Sequence, residues 1–204
     1  MRDCTTVAGT DVLQWRRQQL ARGGTAADLD WLLDLAGGLR WASLQRLLLD
    51  PTRSVDLEQS LEMLSGLWER HLHGNVPLQH LVGLCPWRDV LLESSPAALI
   101  PRQETELLVD LALSQFTTTP PARWADLGTG SGAIAVALAR AWPTAPGHGV
   151  DLSPDALQLA ERNLQSCAPH HNCSLHLGSW WSPLKGWWGS LDLSLIHISS
   201  PRDS

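Results

Sequence analysis

The stretch Asp126-Leu127-Gly128-Thr129-Gly130-Ser131-Gly132 decides the fold of the second half of this chain. It follows a short apolar lead at 122–125 and opens into 133–140, a run of good helix formers. This order predicts a strand, a glycine turn and a helix. Glycine accepts a positive φ and lets a ligand approach the main chain, and a helix start presents N–H groups that lack intrahelical partners. The turn is therefore a candidate ligand-binding loop.

Two classes of ligand and one structural role compete for this turn. Gly128, Gly130 and Ala133 satisfy the G-x-G-x-x-A form of the dinucleotide fingerprint. Asp126, however, lies two residues before the first glycine, where a carboxylate repels a pyrophosphate and attracts the cationic end of S-adenosylmethionine. The next predicted strand ends at Asp151, an acid that can hydrogen-bond the ribose of either cofactor. Asp126 therefore favours S-adenosylmethionine. The structural alternative is a turn that binds no ligand and only packs a helix on a sheet.

The composition bounds the class of protein. The 204 residues include 44% hydrophobic and 18% charged residues, as in ordinary globular proteins. A net charge of −6 argues against a surface that holds nucleic acid by neutralising phosphates. The four cysteines form no Cys-x-x-Cys pair, so neither a metal site nor a disulfide framework is predicted. No leader peptide or membrane span is recognisable, and we expect a cytoplasmic protein that does not bind membranes.

Residues 10–73 are predicted to be helical. Glycine pairs and Asp-Pro divide them into helices at 11–21, 26–36, 42–49 and 56–72, the second of them capped by Thr25. In the last helix an apolar stripe recurs at the i, i+4, i+7, i+11 spacing of one buried face; its members are Leu57, Leu61, Leu64 and Trp68. We therefore expect a small all-α bundle over residues 1–75, with no chemistry of its own.

The pattern changes after residue 76. A β element at 87–93, bounded by turn formers, predicts a β-hairpin linker over 76–100, and a helix follows to about residue 115. Strands predicted at 123–127, 147–151 and 174–177 then alternate with helices at 132–142 and 154–166. Such alternation predicts a parallel sheet covered on both faces, with ligand outside the carboxyl ends of the strands. Trp180 follows the third strand, and its flat indole could lie against an adenine.

Five blocks of the chain resemble the release-factor glutamine methyltransferases, and together they cover most of residues 10–193. The block at 101–106, Pro-Arg-Gln-Glu-Thr-Glu, is the specific one, although Gln103 replaces a proline of the usual family form. The glycine motif at 126–132 is shared by all class I methyltransferases. The remaining blocks are 77–83, 150–156 and 178–180.

The resemblance implies an α/β fold: an incomplete Rossmann-like class I S-adenosylmethionine-dependent methyltransferase domain at 101–193, preceded by the all-α bundle and the β-hairpin linker. It implies that the glycine loop holds the cofactor, with Asp151 at the ribose and Trp180 at the adenine; the charge argument puts Asp126 near the methionine amino group. The expected cofactor-binding residues are Asp126, Gly128, Thr129, Gly130, Ser131, Gly132, Asp151 and Trp180, and those expected to line the substrate pocket are Pro101, Arg102, Glu104 and Thr105.

The family methylates the glutamine of the Gly-Gly-Gln loop of peptide chain release factors, and its helical domain is implied to contact that protein substrate. An amide nitrogen is a poor nucleophile because its lone pair is delocalised, so the enzyme must hold nitrogen, methyl and sulfur in line. In the family an Asn-Pro-Pro-Tyr motif orients the amide. No such motif follows Leu193 here. We therefore expect no catalytic residues and little turnover, with an aberrant tail at 194–204 after a lost reading frame; a divergent but genuine strand is the alternative.

The sequence thus predicts a truncated, monomeric member of this family whose partners are release factors, with no direct nucleic-acid partner. Three other functions stay open. One is an adenine-amino DNA or RNA methyltransferase, which uses the same glycine turn. The second is a non-catalytic fragment that binds only the cofactor or the release factor. The third is a dinucleotide-dependent oxidoreductase, which the glycine fingerprint also permits.

Overall fold

The computed structural model describes residues 5–196, which form two compact units that meet in sequence between Gly83 and Leu84. In this part of the chain, no helix is long and apolar enough to cross a membrane.

The first unit contains five helices and a short β-ribbon among its described residues. Its elements are β1 (Thr5–Ala8), α1 (Gly9–Arg22), α2 (Ala26–Leu35), α3 (Trp41–Leu49), β2 (Ser54–Leu57), α4 (Leu61–Gly74) and α5 (Leu78–Val82). The Thr25 side chain caps α2, as predicted, by accepting the N–H of Asp28, and Ser60 caps α4 through the N–H of Met63. The predicted helices are confirmed to within a few residues, with one exception.

The exception is the start of the last long helix, which was predicted at residue 56. Residues Ser54–Leu57 instead pair with Thr5–Ala8 as an antiparallel ribbon, with Thr5 opposite Leu57. The helix begins only after Ser60, because its hydroxyl satisfies a free N–H of the first turn. The predicted apolar stripe is confirmed in part. Leu64 and Trp68 lie in α4 and are fully buried, whereas Leu57 is buried but lies in β2. The prediction of an all-helical unit was wrong at this ribbon.

The second unit begins with a hairpin and continues as an α/β sheet. Its elements are β3 (Leu84–Trp87), β4 (Val90–Glu93), a 3₁₀ turn (Gln103–Thr105), α6 (Glu106–Gln115), β5 (Trp124–Leu127), α7 (Ala133–Ala141), β6 (Gly147–Asp151), α8 (Pro154–Cys167), β7 (Cys173–Leu177), a 3₁₀ segment (Ser182–Trp187) and β8 (Leu193–Ile196). The hairpin pairs Trp87 with Val90 across a two-residue turn. The predicted linker, residues 76–100, is divided between the two units. Its first part belongs to the first unit, where Leu78 is buried in the core, and the hairpin belongs to the second.

The sheet of the second unit is parallel throughout and has the strand order β7-β6-β5-β8. The order reverses at β5, and ligands of open parallel sheets bind at such a reversal, beside the carboxyl ends of the strands. Residues 194–196, which the sequence assigned to an aberrant tail, pair with β5 because Leu193 and Leu195 pack against the sheet's apolar core. The rest of that tail, 197–204, lies outside the described residues, and the lost reading frame stays a prediction.

Both faces of the sheet are covered, as expected. All four residues of β5 are buried, and its three apolar residues belong to two clusters on opposite faces of the sheet. Trp124 packs with the helices α6, α7 and α8 on one face, whereas Ala125 and Leu127 pack with Leu184 of the 3₁₀ segment on the other. The neighbouring strand accommodates the large indole of Trp124 by placing Gly147 directly opposite it.

Gly147→Ala tests this packing. A Cβ at this position would overlap the Trp124 ring. We expect a loss of about 1–3 kcal/mol in the free energy of unfolding, the usual penalty for overpacking a core. Urea unfolding followed by tryptophan fluorescence measures it. Gly186→Ala is the matched control, since no atom of residues 5–196 lies within 4 Å of the added Cβ. Equal stabilities of the two variants would contradict the assigned contact.

Candidate functional site

A cavity of about 300 Å³ lies at the carboxyl ends of β5 and β6. One wall is the glycine loop between β5 and α7, and the other is the segment 97–101, between β4 and α6. The cavity brings together eight of the twelve residues predicted for the cofactor and substrate sites: Pro101, Thr105, Asp126, Gly128, Thr129, Gly130, Ser131 and Asp151. The other four, Arg102, Glu104, Gly132 and Trp180, are not in its lining as residues 5–196 form it.

The glycine loop needs glycine at three alternate positions. Gly128, Gly130 and Gly132 have φ values of 77°, 55° and 79°, a region that residues with a Cβ rarely occupy. A Cβ on Gly132 would also lie 3.0 Å from the Cβ of Ala160 in α8. Gly132 therefore allows the start of α7 to pack closely against α8, although it does not face the cavity.

Most N–H groups of the loop already have protein acceptors. Gly128 and Thr129 donate to the carbonyl of Val150 at 2.8 and 2.9 Å. Gly130 donates to Oδ2 of Asp151 at 2.9 Å, and Gly132 donates to the carbonyl of Thr129 at 2.8 Å. The free N–H groups predicted from the sequence are those at the start of the helix after the loop, and these four positions precede that helix. Neighbouring strand ends supply acceptors that a local motif cannot reveal.

Asp126 lies beneath the loop and is 1% exposed. Its Oδ2 accepts a hydrogen bond of 2.7 Å from the Thr129 hydroxyl, whereas Oδ1 has no partner among the described residues. The pKa of Asp126 is raised to about 6: burial is the largest cause and the negative charge of Asp151 adds to it, while the Thr129 hydroxyl and the Ala135 N–H oppose the rise. The Ala135 N–H does not complete a hydrogen bond to Oδ1. Asp126 therefore places a carboxylate oxygen with no partner among the described residues beneath the glycine loop.

Asp151, at the end of β6, is held in a fixed orientation. Its two carboxylate oxygens accept the N–H groups of Gly130 and Ser153, both at 2.9 Å. Each oxygen retains a second lone pair, so the carboxylate can still accept hydrogen bonds from the two hydroxyls of a ribose. The same contact ties the glycine loop to the neighbouring strand.

Among the described residues, the charged side chains that line the cavity are all acidic. The lining contains the carboxylates of Asp126 and Asp151 and, within the described part of the chain, no arginine, lysine or histidine. An anionic ligand such as a pyrophosphate would meet two negative charges and few free N–H groups. A ligand with a positively charged end and a ribose would find acceptors for both. Residues 5–196 contain no cluster of three or more metal-ligating side chains.

The second wall is held by the hairpin. The indole N–H of Trp87 donates to the carbonyl of Arg102 at 3.1 Å. The guanidinium of Arg88 donates to the carbonyl of Glu106 at 3.0 Å and pairs with Asp110 at 2.8 Å. These contacts fix both ends of the 101–106 block. Within the block, Thr105 is buried against the cavity and Arg102 is exposed.

Trp180 has an unusual backbone conformation. Its φ of 47° lies in the left-handed region, and 46% of its surface is exposed. Large residues at positive φ are held there by their surroundings, and such strain is concentrated at functional sites. The conformation marks the position as constrained, although the side chain lies outside the cavity lining.

Asn163 was not singled out from the sequence, yet it connects the two walls. It is fully buried in α8 and hydrogen-bonds both Glu93, at the end of the hairpin, and the carbonyl of Ser131 in the glycine loop. A signal was available: the buried positions of α8, Ala156, Leu159, Ala160, Asn163 and Leu164, form a helical stripe. An amide on such a stripe predicts a buried hydrogen-bonding role.

Asp126→Asn tests the raised pKa. The wild-type carboxyl group binds a proton more tightly in the folded state than in the unfolded state. Its protonation therefore contributes fully to the free energy of unfolding below pH 3.8, and this contribution is lost as the pH rises through about 6. An asparagine has no charge to bury. Relative to wild type, the variant should therefore be most stable above pH 7 and lose that advantage as pH falls towards 4. Urea unfolding of both proteins at pH 4.5 and pH 8 checks this. A stability difference that is the same at both pH values would contradict it.

Comparisons with known proteins agree with this geometry. Residues 121–194 match the methyltransferase domain family. The chain is 56% identical over 189 residues to a release factor glutamine methyltransferase of Prochlorococcus marinus, with 92% of the chain and 64% of that protein covered. It is 35% identical over 191 residues to the protein of the same name from a Synechocystis species, with 88% of the chain and 62% of that protein covered.

The chain thus spans somewhat less than two thirds of the length of these relatives. Among solved structures, the ribosomal protein L11 methylase of Lactobacillus delbrueckii matches with a TM-score of 0.42 and 25% identity, over 51% of each chain. The parallel sheet, the glycine loop and the matched domain make the second unit a Rossmann-like methyltransferase domain, and by sequence the chain is similar to the release factor glutamine methyltransferases over most of its length.

Proposed function

We propose that this chain binds S-adenosylmethionine in the cavity at the ends of β5 and β6. We further propose that its activity is to methylate the glutamine side-chain amide in the Gly-Gly-Gln motif of peptide chain release factors. The observation that carries the cofactor is the acidic cavity, with the unpartnered Asp126 oxygen beneath a glycine loop. The substrate rests on the names of relatives that are 56% and 35% identical to this chain.

The residues present suit the proposed cofactor. Asp126 supplies an acceptor for the methionine ammonium group, and Asp151 supplies acceptors for the ribose hydroxyls. Gly130 keeps the loop free of a Cβ where the ligand approaches; within residues 5–196, only Ala98 and the Gly128 carbonyl lie within 4 Å of that position. We assign Trp180 to the adenine because of its constrained backbone beyond β7. Pro101, Arg102, Glu104 and Thr105 then form the substrate side of the site.

When bound, S-adenosylmethionine supplies an electrophilic methyl group. The task of the protein is mainly positioning: the side chains around the cavity hold the cofactor and exclude water, while the substrate amide must be oriented so that its nitrogen approaches the methyl carbon. The resemblance assigns that orientation to an Asn-Pro-Pro-Tyr motif, and the 204 residues contain none. We therefore propose that this chain binds the cofactor but turns over slowly, if at all.

The protein partner in this proposal is a release factor, which implies a cytoplasmic setting. A net charge of −6 favours a protein partner over a nucleic acid. An adenine-amino nucleic-acid methyltransferase is the alternative enzyme, and a fragment that only binds is the alternative without chemistry. We propose a monomer, since no feature of either unit requires a second copy.

Asp151→Asn tests the cofactor site. The wild-type chain should bind S-adenosylhomocysteine, and the variant should bind it about tenfold or more weakly, because hydrogen bonds to a charged group are lost. Isothermal titration calorimetry measures both. The control is Asp155→Asn, which changes an exposed carboxylate in the first turn of α8 and should leave the affinity unchanged. Tight binding of NADH with no binding of S-adenosylhomocysteine would overturn the proposal.

Methyl transfer distinguishes the candidate functions. With radiolabelled S-adenosylmethionine and saturating release factor, we expect the chain to transfer methyl at least about a hundredfold more slowly than a full-length relative, since orientation of reactants contributes several kcal/mol to such reactions. Rates comparable to the relative would show that the Asn-Pro-Pro-Tyr argument is wrong. Preferential labelling of an oligonucleotide would favour the nucleic-acid methyltransferase.

A further inference from the structure

We infer that Asn163 is a positioning residue that holds the two walls of the cofactor cavity at a fixed separation. This inference rests on the proposed cofactor site and adds a residue in α8 that does not touch the ligand. Asn163 contacts one wall at Ser131 and the other through Glu93, the last residue of the hairpin.

Every hydrogen-bonding group of the Asn163 side-chain amide has a partner. Oδ1 of Asn163 accepts the Glu93 N–H at 2.7 Å, and Nδ2 donates to the Glu93 carbonyl at 3.1 Å and to the Ser131 carbonyl at 2.9 Å. Both amide hydrogens and the oxygen are therefore engaged. The side chain is 0% exposed, so water cannot replace any of these partners without opening the structure.

The three partners are backbone groups next to the cavity. Ser131 lines the cavity from the glycine loop. Glu93 ends β4, and the chain reaches the opposite wall at Ala97 only four residues later. A shift of either backbone would change the width of the cavity, and Asn163 resists both shifts from one rigid helix.

Other contacts do not provide the same link. Arg162 pairs with the Glu93 side chain at 2.7 Å, but both side chains are about half exposed, and such surface pairs are weak. Asp151 ties Gly130 and Ser153 to the end of β6, and neither of these contacts involves the hairpin. Two carbonyls and one N–H require two donors and one acceptor. Ionised aspartate has only acceptors and leucine has neither, so neither residue can replace the amide.

The test compares Asn163→Asp and Asn163→Ala with Leu164→Ala in the full 204-residue chain. Asp retains an acceptor for the Glu93 N–H but loses both donors, and Ala loses all three hydrogen bonds. Leu164 is equally buried on the same helix and belongs to the apolar core, so its truncation destabilises the fold without removing these bonds. Urea unfolding gives the stability of each variant, and calorimetry gives the dissociation constant for S-adenosylhomocysteine.

At a temperature where all three variants remain folded, we expect the dissociation constant to rise about tenfold or more in both Asn163 variants and less than about twofold in Leu164→Ala. Equal losses of affinity in all three variants would show that Asn163 acts only through stability, which overturns the inference. Unchanged affinity in the Asn163 variants would overturn it as well, whereas failure of the wild type to bind would instead refute the proposed function.

A measurement on the wild type covers the case in which the Asn163 variants do not fold. Hydrogen exchange of the Glu93 amide reports directly on its bond to Asn163. If the two walls are coupled, saturating S-adenosylhomocysteine should slow exchange at Glu93 as well as in the glycine loop. Protection confined to the glycine loop would contradict the coupling.

Discussion

The structure of the second unit depends on a carboxylate that is buried beneath a glycine turn. Asp126 lies in the most buried strand of the sheet, and among the described residues only one of its oxygens has a partner, the hydroxyl of Thr129. Burial of an incompletely paired carboxylate is unfavourable, which is why the pKa of Asp126 rises to about 6. In the proposed site, the ammonium group of the cofactor would complete the contacts of this carboxylate.

The glycine loop has a different role from the one that its resemblance to a dinucleotide fingerprint suggests. Four of its N–H groups are used to join β5 to β6 and to close the turn, through Val150, Asp151 and Thr129. These four N–H groups are therefore not available to an anion. In the proposed function, recognition comes from Asp126 and Asp151, which suits a ligand that combines a positive charge with a ribose.

The hairpin of the second unit has a structural part in the site. Trp87 and Arg88 anchor the 101–106 block, and Glu93 is anchored in turn by Asn163. The block that marks the family in sequence is therefore positioned by residues that the motif does not contain. This arrangement explains how an exposed segment such as Arg102 to Glu104 can keep a defined place beside the cavity.

The sequence by itself determined the local features of this protein. The turn at 126–132, the alternation of strands and helices after residue 123, the cap at Thr25 and the family resemblance all follow from residues that are close together in the chain. Six of the twelve proposed site residues line one cavity because the parallel strands β5 and β6 bring their carboxyl ends together.

Only the tertiary structure decided the features that depend on distant partners. Residues 54–57 become a strand because Thr5–Ala8 lies beside them, and residues 193–196 join the sheet because β5 offers a free edge and an apolar face. The acceptors of the loop N–H groups and the role of Asn163 likewise lie on other elements. A hydrogen bond between residues 32 or 70 positions apart, as in the contacts of Asn163, leaves no periodic pattern in the sequence, because nothing local requires it.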